Sequence, residues 1–183
     1  MENIKSFQGQ KVVKFLTIIF LGSILLTASA KFKIPFYPVP MTMQTFVVLF
    51  FGLAFGYKIG LSIVGLYLIE GILGLPVFSN SPERGVGLIY FTGPTMGYLI
   101  GFLFAVFLSG YLDLKKNIFI IFFKLLLSVS VIYILGLIWL GILIGWDKPI
   151  LELGAIPFLP AELLKILILT LLAKKIIKLR SFI

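Results

Sequence analysis

The sequence lacks cysteine and histidine entirely, and only seven of its 183 residues are acidic. These absences exclude disulfides, thiol nucleophiles, serine–histidine pairs and the commonest transition-metal ligands. The G-x-x-x-x-G-K-[ST] phosphate loop is also missing, so the motif that would indicate ATP hydrolysis by this chain is not there. We therefore predict that the chain is not an enzyme and carries no resident cofactor or metal.

Apolar residues dominate what is present. They make up 60% of the chain, charged residues make up 13%, and the mean hydropathy is +1.15. These values lie far outside the range of soluble globular domains and indicate an all-α integral membrane protein. No polar block of domain size interrupts the apolar runs, so we expect one transmembrane domain spanning residues 1–183.

The apolar runs predict six transmembrane helices, at 11–30, 42–56, 59–74, 94–112, 117–145 and 158–178. The first run ends in Ala28-Ser29-Ala30, as a cleavable signal peptide does, but it is long enough to span and further spans follow. Only Gly56-Tyr57-Lys58 separates the short second and third helices. Five spans with a re-entrant hairpin are the alternative.

The basic residues are distributed unevenly over this topology. Six spans place ten of them on the side of both termini and four on the other side, where Lys31, Lys33, Arg84 and Lys148 lie. Because lysine and arginine collect in cytoplasmic loops, we predict cytoplasmic termini in a multi-pass protein of the cell membrane. The same rule accounts for the net charge of +9, so we predict no nucleic-acid partner.

Three segments rich in proline, glycine and polar residues all fall on the predicted outer side. They are KIPFYPVPMTMQT (33–45), GLPVFSNSPERGVGLIYFTGPTMGY (74–98) and GWDKPILELGAIPFLPAELLK (145–165). Irregular backbone is tolerated at membrane depth only where protein buries it or water reaches it. We therefore expect a cavity with lids there, whereas the plainer interpretation treats the segments as connectors.

Four ionisable residues lie in the predicted spans or at their mouths, namely Glu70, Lys124, Glu162 and Lys165. A charge in hydrocarbon costs at least about 2.5–3.5 kcal/mol, so each needs a partner, a cavity or a route to the interface. Glu162 and Lys165 are three residues apart on one helix face. Taken alone, this spacing indicates an internal ion pair more often than a ligand site.

Three stretches resemble, in order and spacing, the signature segments of the BioY family: IPFYPVPMTMQT, YLIEGILGLPVFSN with GPTMGYLIGF, and IPFLPAELLK. The similarity runs from Ile34 to Lys165. The family comprises biotin-binding S components of energy-coupling-factor (ECF) transporters. The resemblance implies an S-component fold of six helices that captures biotin from outside. It also implies two kinds of partner, a transmembrane coupling protein and two ATPase subunits.

The resemblance also implies site residues. The family's Pro-Gly-Asp-x-x-Lys pattern at the last helix places its acid at Glu162 and its base at Lys165, and the loop asparagine is Asn80. This chain departs from the pattern, with Ala161 for the glycine and Glu162 for the shorter aspartate. The first helix is implied to meet the coupling protein, and Ser23 with Thr27 offers small residues four apart, although packing within the chain explains them equally well.

Biotin suits such a site chemically. Glu162 and Asn80 provide polar partners for the ureido head, and Lys165 or Arg84 is the expected partner of the carboxylate. We expect Phe36 and Tyr37, stiffened by neighbouring prolines, to form an aromatic wall. Two alternatives are an S component for another vitamin and a stand-alone membrane channel or facilitator. Recurring polar residues along several helices would favour a channel, and the sequence contains none.

Overall fold

The computed structural model describes residues 2–111 and 117–182, with side chains for 10–111 and 117–181. Its α-helices are α1 (Glu2–Lys31), α2 (Gln44–Ile72), α3 (Met96–Tyr111), α4 (Ile118–Ile144), α5 (Ile150–Gly154) and α6 (Leu159–Ile177). Between α1 and α2, β1 (Lys33–Ile34) and β2 (Met41–Thr42) pair antiparallel. Three 3₁₀ helices lie at Gly87–Thr92, Ile156–Phe158 and Lys178–Phe182.

The long helices agree with a membrane protein. By length and apolar composition alone, four stretches of the described residues could cross a bilayer: Gln10–Lys31, Gln44–Ile72, Ile118–Ile144 and Ile150–Ser181, although the second of them is broken at Gly56. Helix α3 is apolar but has only 16 residues. The second span, predicted to start near residue 42, begins two residues later at Gln44, because Thr42 pairs in β2. The predicted loop around Lys115 and Lys116 lies outside the described residues.

Helix α2 folds back on itself at Gly56. This residue has φ 78° and ψ 172°, a left-handed conformation that glycine adopts without a steric penalty. Gln44 Nε2 donates a hydrogen bond to the Tyr67 hydroxyl at 2.8 Å. In a straight helix residues 44 and 67 would lie about 35 Å apart. The element is therefore a helical hairpin, whose first arm is 44–55 and second arm 57–72.

Arg180 caps the turn of this hairpin. Its Nε donates to the carbonyl oxygen of Leu53 at 2.9 Å, and its Nη2 donates to the carbonyl oxygens of Gly52 (2.8 Å) and Gly110 (3.2 Å). The last carbonyls of a helix have no partner within the helix. One guanidinium therefore satisfies the ends of the first arm and of α3 together.

Close backbone approach holds the helices together. Apolar lipid gives no hydrophobic driving force for helix association, so small residues and dense packing must supply the stability. A Cβ added at Gly52 would lie 1.9 Å from Ser109 Oγ, and one at Gly110 would lie 2.4 Å from Tyr57 N. Helix α1 packs against α2 and keeps one of its faces exposed. More than half of each side chain is exposed along one stripe of it: Val12, Val13, Leu16, Phe20 and Leu21.

Candidate ligand site

A small cavity of mixed polarity lies where the three irregular segments meet. Its volume is about 50 Å³, and its walls come from all three segments and from α2, α3 and α4. The cavity expected from the sequence is thus present. The polar side chains in its wall are Thr42, Gln44, Thr45, Ser79, Tyr90, Thr95, Tyr98, Tyr133 and Glu162.

Glu162 and Lys165 form a buried ion pair beside this cavity. Lys165 Nζ lies 2.9 Å from Glu162 Oε1, and the two residues are 6% and 5% exposed. The same ammonium donates to the carbonyl oxygen of Thr42 at 2.6 Å and to Thr45 Oγ1 at 3.0 Å. An ammonium group has three N–H donors. All three are therefore used within the protein.

The second carboxylate oxygen of Glu162 has no such partner. Glu162 Oε1 accepts from Lys165 Nζ and from Thr45 Oγ1, each at 2.9 Å. Glu162 Oε2 is buried and accepts no hydrogen bond within 3.5 Å from the residues that the structure describes. Leaving a buried polar atom unpaired costs about 1–3 kcal/mol, and more for a charged group. The Tyr133 side chain, which lines the same cavity, is close enough to Glu162 to share a weak hydrogen bond with it, so Glu162 Oε2 is an acceptor that the described residues do not fully satisfy.

Asn80 and Arg84 do not line this main cavity. They line a smaller recess of about 10 Å³ together with Gly93 and Pro94. Tyr90 and Thr95 line both spaces, so the recess adjoins the main cavity. The six predicted site residues are thus divided, with Glu162 and Lys165 at one side and Asn80 and Arg84 at another.

The two predicted wall aromatics also lie outside the main cavity. Phe36 packs edge-on against Phe158, with ring centroids 5.6 Å apart, and Phe158 forms the wall itself. Tyr37 is 80% exposed, and the guanidinium of Arg84 lies 5.5 Å from its ring centroid. Arg84 Nη1 also donates to the Pro38 carbonyl oxygen at 2.7 Å. In this arrangement Phe36 reaches the site only through Phe158.

Several polar residues of the wall were not singled out from the sequence. Gln44 and Thr45 belong to the MTMQT stretch, but a single polar pair before an apolar run does not reveal which way its side chains point. The tyrosines gave a weak signal, because a buried phenol needs a hydrogen-bond partner. Tyr98 donates to the Gly154 carbonyl oxygen at 2.8 Å, and the Tyr90 hydroxyl lies 3.3 Å from Ser79 Oγ.

Metal binding finds no support in this site. Within the described side chains, no three acidic residues come close enough together to hold a metal ion. The polar groups around the cavity are instead hydroxyls, one amide and one carboxylate, and the Lys165 ammonium pairs with that carboxylate. This set suits an organic ligand that carries both hydrogen-bond donors and acceptors.

Comparisons with known proteins identify the family. The profile of the BioY family matches residues 2–182. A probable biotin transporter BioY of Pyrococcus horikoshii is 31% identical over 163 residues, which cover 89% of this chain and 96% of that protein. The biotin transporter BioY of Thermotoga maritima is 34% identical over 156 residues, which cover 85% and 90%.

A solved structure agrees with the sequence relatives. It is the crystal structure of the S-component for biotin from an ECF-type ABC transporter, with a TM-score of 0.77 and 26% identity. The match covers 92% of this chain and 93% of that one. Together with its apolar helices, these matches identify the chain as a multi-pass membrane protein of the BioY family.

Proposed function

We propose that this chain is the substrate-capturing S component of an ECF-type transporter and that its substrate is biotin. The observation that supports this most directly is the buried Glu162 carboxylate, which lines a cavity of mixed polarity and whose Oε2 accepts no hydrogen bond within 3.5 Å from the described residues. The ureido head of biotin presents two N–H donors and a carbonyl, so one N–H can satisfy this oxygen. Family membership supports the same ligand and a transport role rather than an enzymatic one.

The hydrogen bonds of Lys165 favour one orientation of the ligand. The three N–H groups of Lys165 donate to Glu162, Thr45 and Thr42, so none remains for the carboxylate of the ligand. The Arg84 guanidinium has five N–H donors. Among the described residues, it donates one hydrogen bond, to the Pro38 carbonyl oxygen. We therefore place the ureido head at Glu162 and the carboxylate near Arg84 and Asn80, with Lys165 setting the charge and position of Glu162.

Binding in this site requires the irregular segments to move apart. Pockets for small organic ligands have volumes of about 300–1,000 Å³, well above the 50 Å³ of this cavity. Val39, Pro40 and Ser79 of the first two segments line it, and the Arg84–Pro38 hydrogen bond joins these segments. Opening on this side admits ligand from outside the cell if the termini are cytoplasmic.

The topology that we propose has six spans and cytoplasmic termini. The two arms of α2 count as separate spans, although each is shorter than the about 20 residues of a usual transmembrane helix. Basic residues support the orientation, because Lys58 at the hairpin turn and Lys174, Lys175 and Lys178 at the end of α6 then share the cytoplasmic side. The whole chain forms one domain in this proposal.

Energy for transport must come from partners, which we propose to be a transmembrane coupling protein and two ATPase subunits. Helix α1 is the candidate contact surface, because its apolar stripe is exposed. Ser23 is not part of that surface. It is 1% exposed and its hydroxyl donates to Glu70 Oε2, so this small residue serves packing within the chain.

Ligand binding by the purified chain tests the proposal. Labelled biotin should bind without nucleotide, and other vitamins in excess should not displace it. In liposomes, biotin accumulation should require ATP together with the coupling and ATPase subunits. Displacement by a different vitamin would reassign the substrate, and nucleotide-independent ion conductance by the chain alone would favour a channel.

A further inference from the structure

Lys31, the last residue of α1, holds the backbone of the second irregular segment. Its Nζ donates to the carbonyl oxygens of Phe78 at 2.8 Å and Ser81 at 2.9 Å, and it lies 3.4 Å from Ser81 Oγ. Phe78 and Ser81 are 1% and 4% exposed. One ammonium thus fixes both ends of the four-residue stretch 78–81 where it turns over the cavity.

Lys33, two residues further along, holds the middle of the same stretch. Its Nζ donates to the Ser79 carbonyl oxygen at 2.8 Å and to Asn80 Oδ1 at 3.0 Å. An ammonium can only donate, so the oxygen of the Asn80 amide must face Lys33. The Nδ2 group of Asn80 then points elsewhere and keeps its hydrogens for another acceptor.

Helix α1, which carries Lys31, is itself held in place by a hydrogen bond to α2. Ser23, two turns before Lys31, donates a hydrogen bond to Glu70 Oε2 on the second arm of α2. The stretch 78–81 follows that arm in the chain after the five residues 73–77. The Ser23–Glu70 hydrogen bond therefore connects α1 directly to the second arm of α2. The hydrogen bonds of Lys31 and Lys33 to the stretch 78–81 add a second connection.

We propose that Lys33 is a positioning residue for ligand binding, because it orients the Asn80 amide so that Nδ2 donates to an acceptor atom of the ligand. Lys31 supports this by holding the loop backbone. The inference rests on the proposed ligand role of Asn80, whose recess adjoins the main cavity. It also specifies the ligand chemistry at this end, which must be a carboxylate or carbonyl oxygen rather than an N–H group.

A double-mutant cycle on the full-length chain tests the proposal. Biotin affinity and dissociation rate are measured for Lys33→Met, Asn80→Ala and the double variant, with melting temperature and gel-filtration profile as checks on folding. Lys148→Met is the matched control, because it removes the same charge from the third irregular segment, where Lys148 pairs only with exposed Asp147 in the described structure. Lys33→Arg keeps a donor at the position.

We expect each single variant to weaken biotin binding by about 3- to 10-fold, the range of one hydrogen bond. The double variant should lose about as much as Asn80→Ala alone, because Lys33 acts through Asn80. Lys33→Arg should retain most of the affinity, and Lys148→Met should bind as wild type does. Biotin amide should show the same losses as biotin, since it keeps a carbonyl oxygen for Asn80.

Four results would overturn the inference, and each has a different meaning. If Asn80→Ala weakens binding but Lys33→Met does not, the positioning role is wrong while the proposed site stands. Additive losses would mean that Lys33 acts independently of Asn80, and a loss confined to biotin over its amide would mean that Lys33 contacts the carboxylate itself. If Asn80→Ala binds biotin normally, the proposed ligand role of Asn80 fails, and the inference fails with it.

Discussion

Lys165 Nζ lies 2.9 Å from Glu162 Oε1 in a site where both residues are more than nine-tenths buried. The pair is asymmetric, because Lys165 uses all three donors while Glu162 Oε2 accepts no hydrogen bond within 3.5 Å from the described residues. The sequence left two interpretations of this pair open, an internal ion pair and a ligand site. The geometry supports both at once, with the ion pair holding the carboxylate that we propose binds biotin.

Replacing Glu162 by glutamine should weaken biotin and biotin amide alike. The ureido head is common to both ligands, and a hydrogen bond to a charged group contributes about 1.5–3 kcal/mol. Titration of each ligand into the purified variant measures the loss. Unchanged affinity would mean that the free oxygen of Glu162 does not meet the ligand.

Stability must be separated from binding in this variant. Glu162→Gln leaves the Lys165 charge buried without a counterion, and breaking a buried pair on one side costs about 3–5 kcal/mol. The double variant Glu162→Gln with Lys165→Met removes both charges. We expect its melting temperature to recover toward wild type while its biotin affinity stays low, which assigns the binding loss to the carboxylate.

Sequence patterns predicted the helices well, because a span needs a long apolar run and little else. Every predicted span overlaps a helix, and the reversal between the second and third falls at Gly56, as expected from the short polar break there. The capping of that turn by Arg180 was not predicted. It joins residues more than 120 positions apart, and the sequence gives no sign of such a contact.

The ligand site could be predicted only in part, because periodicity fixes the direction of its helical side chains but not of those in irregular segments. Helical spacing places Glu162 and Lys165 on one face, so their pairing follows from the sequence. In irregular backbone no periodicity fixes the direction of a side chain. Tyr37 therefore points outward rather than forming a wall, and Thr45, which completes the ion-pair network, was not recognised.

Topology can be tested with single cysteines, since the chain has none of its own. Glu83 and Lys58 are both exposed and lie in the second irregular segment and at the hairpin turn. An impermeant thiol reagent should label Glu83→Cys but not Lys58→Cys in intact cells, and permeabilised cells should show both. The reverse pattern would overturn the orientation. Labelling at both positions from outside would contradict the hairpin as two complete spans.

Removing the Arg180 side chain should destabilise the protein without changing the ligand site. Arg180→Met leaves the carbonyl oxygens of Gly52, Leu53 and Gly110 without the donors that now satisfy them. We expect a loss of about 1–3 kcal/mol, read as a lower melting temperature in detergent. Lys178→Met is the control for charge alone. A variant as stable as this control would show that water satisfies these carbonyls equally well.

Changing the protein and the ligand together identifies the residue that contacts the biotin carboxylate. We expect biotin amide to bind wild type about 1 kcal/mol more weakly than biotin, a modest difference because Arg84 is exposed and its charge is screened by solvent. If Arg84 holds the carboxylate, Arg84→Gln should bind the two ligands almost equally. Lys165→Met should keep the wild-type preference for biotin, because its ammonium has no donor left for the ligand. Preference lost in Lys165→Met and kept in Arg84→Gln would instead assign the carboxylate to Lys165, and with it a reversed ligand in the cavity.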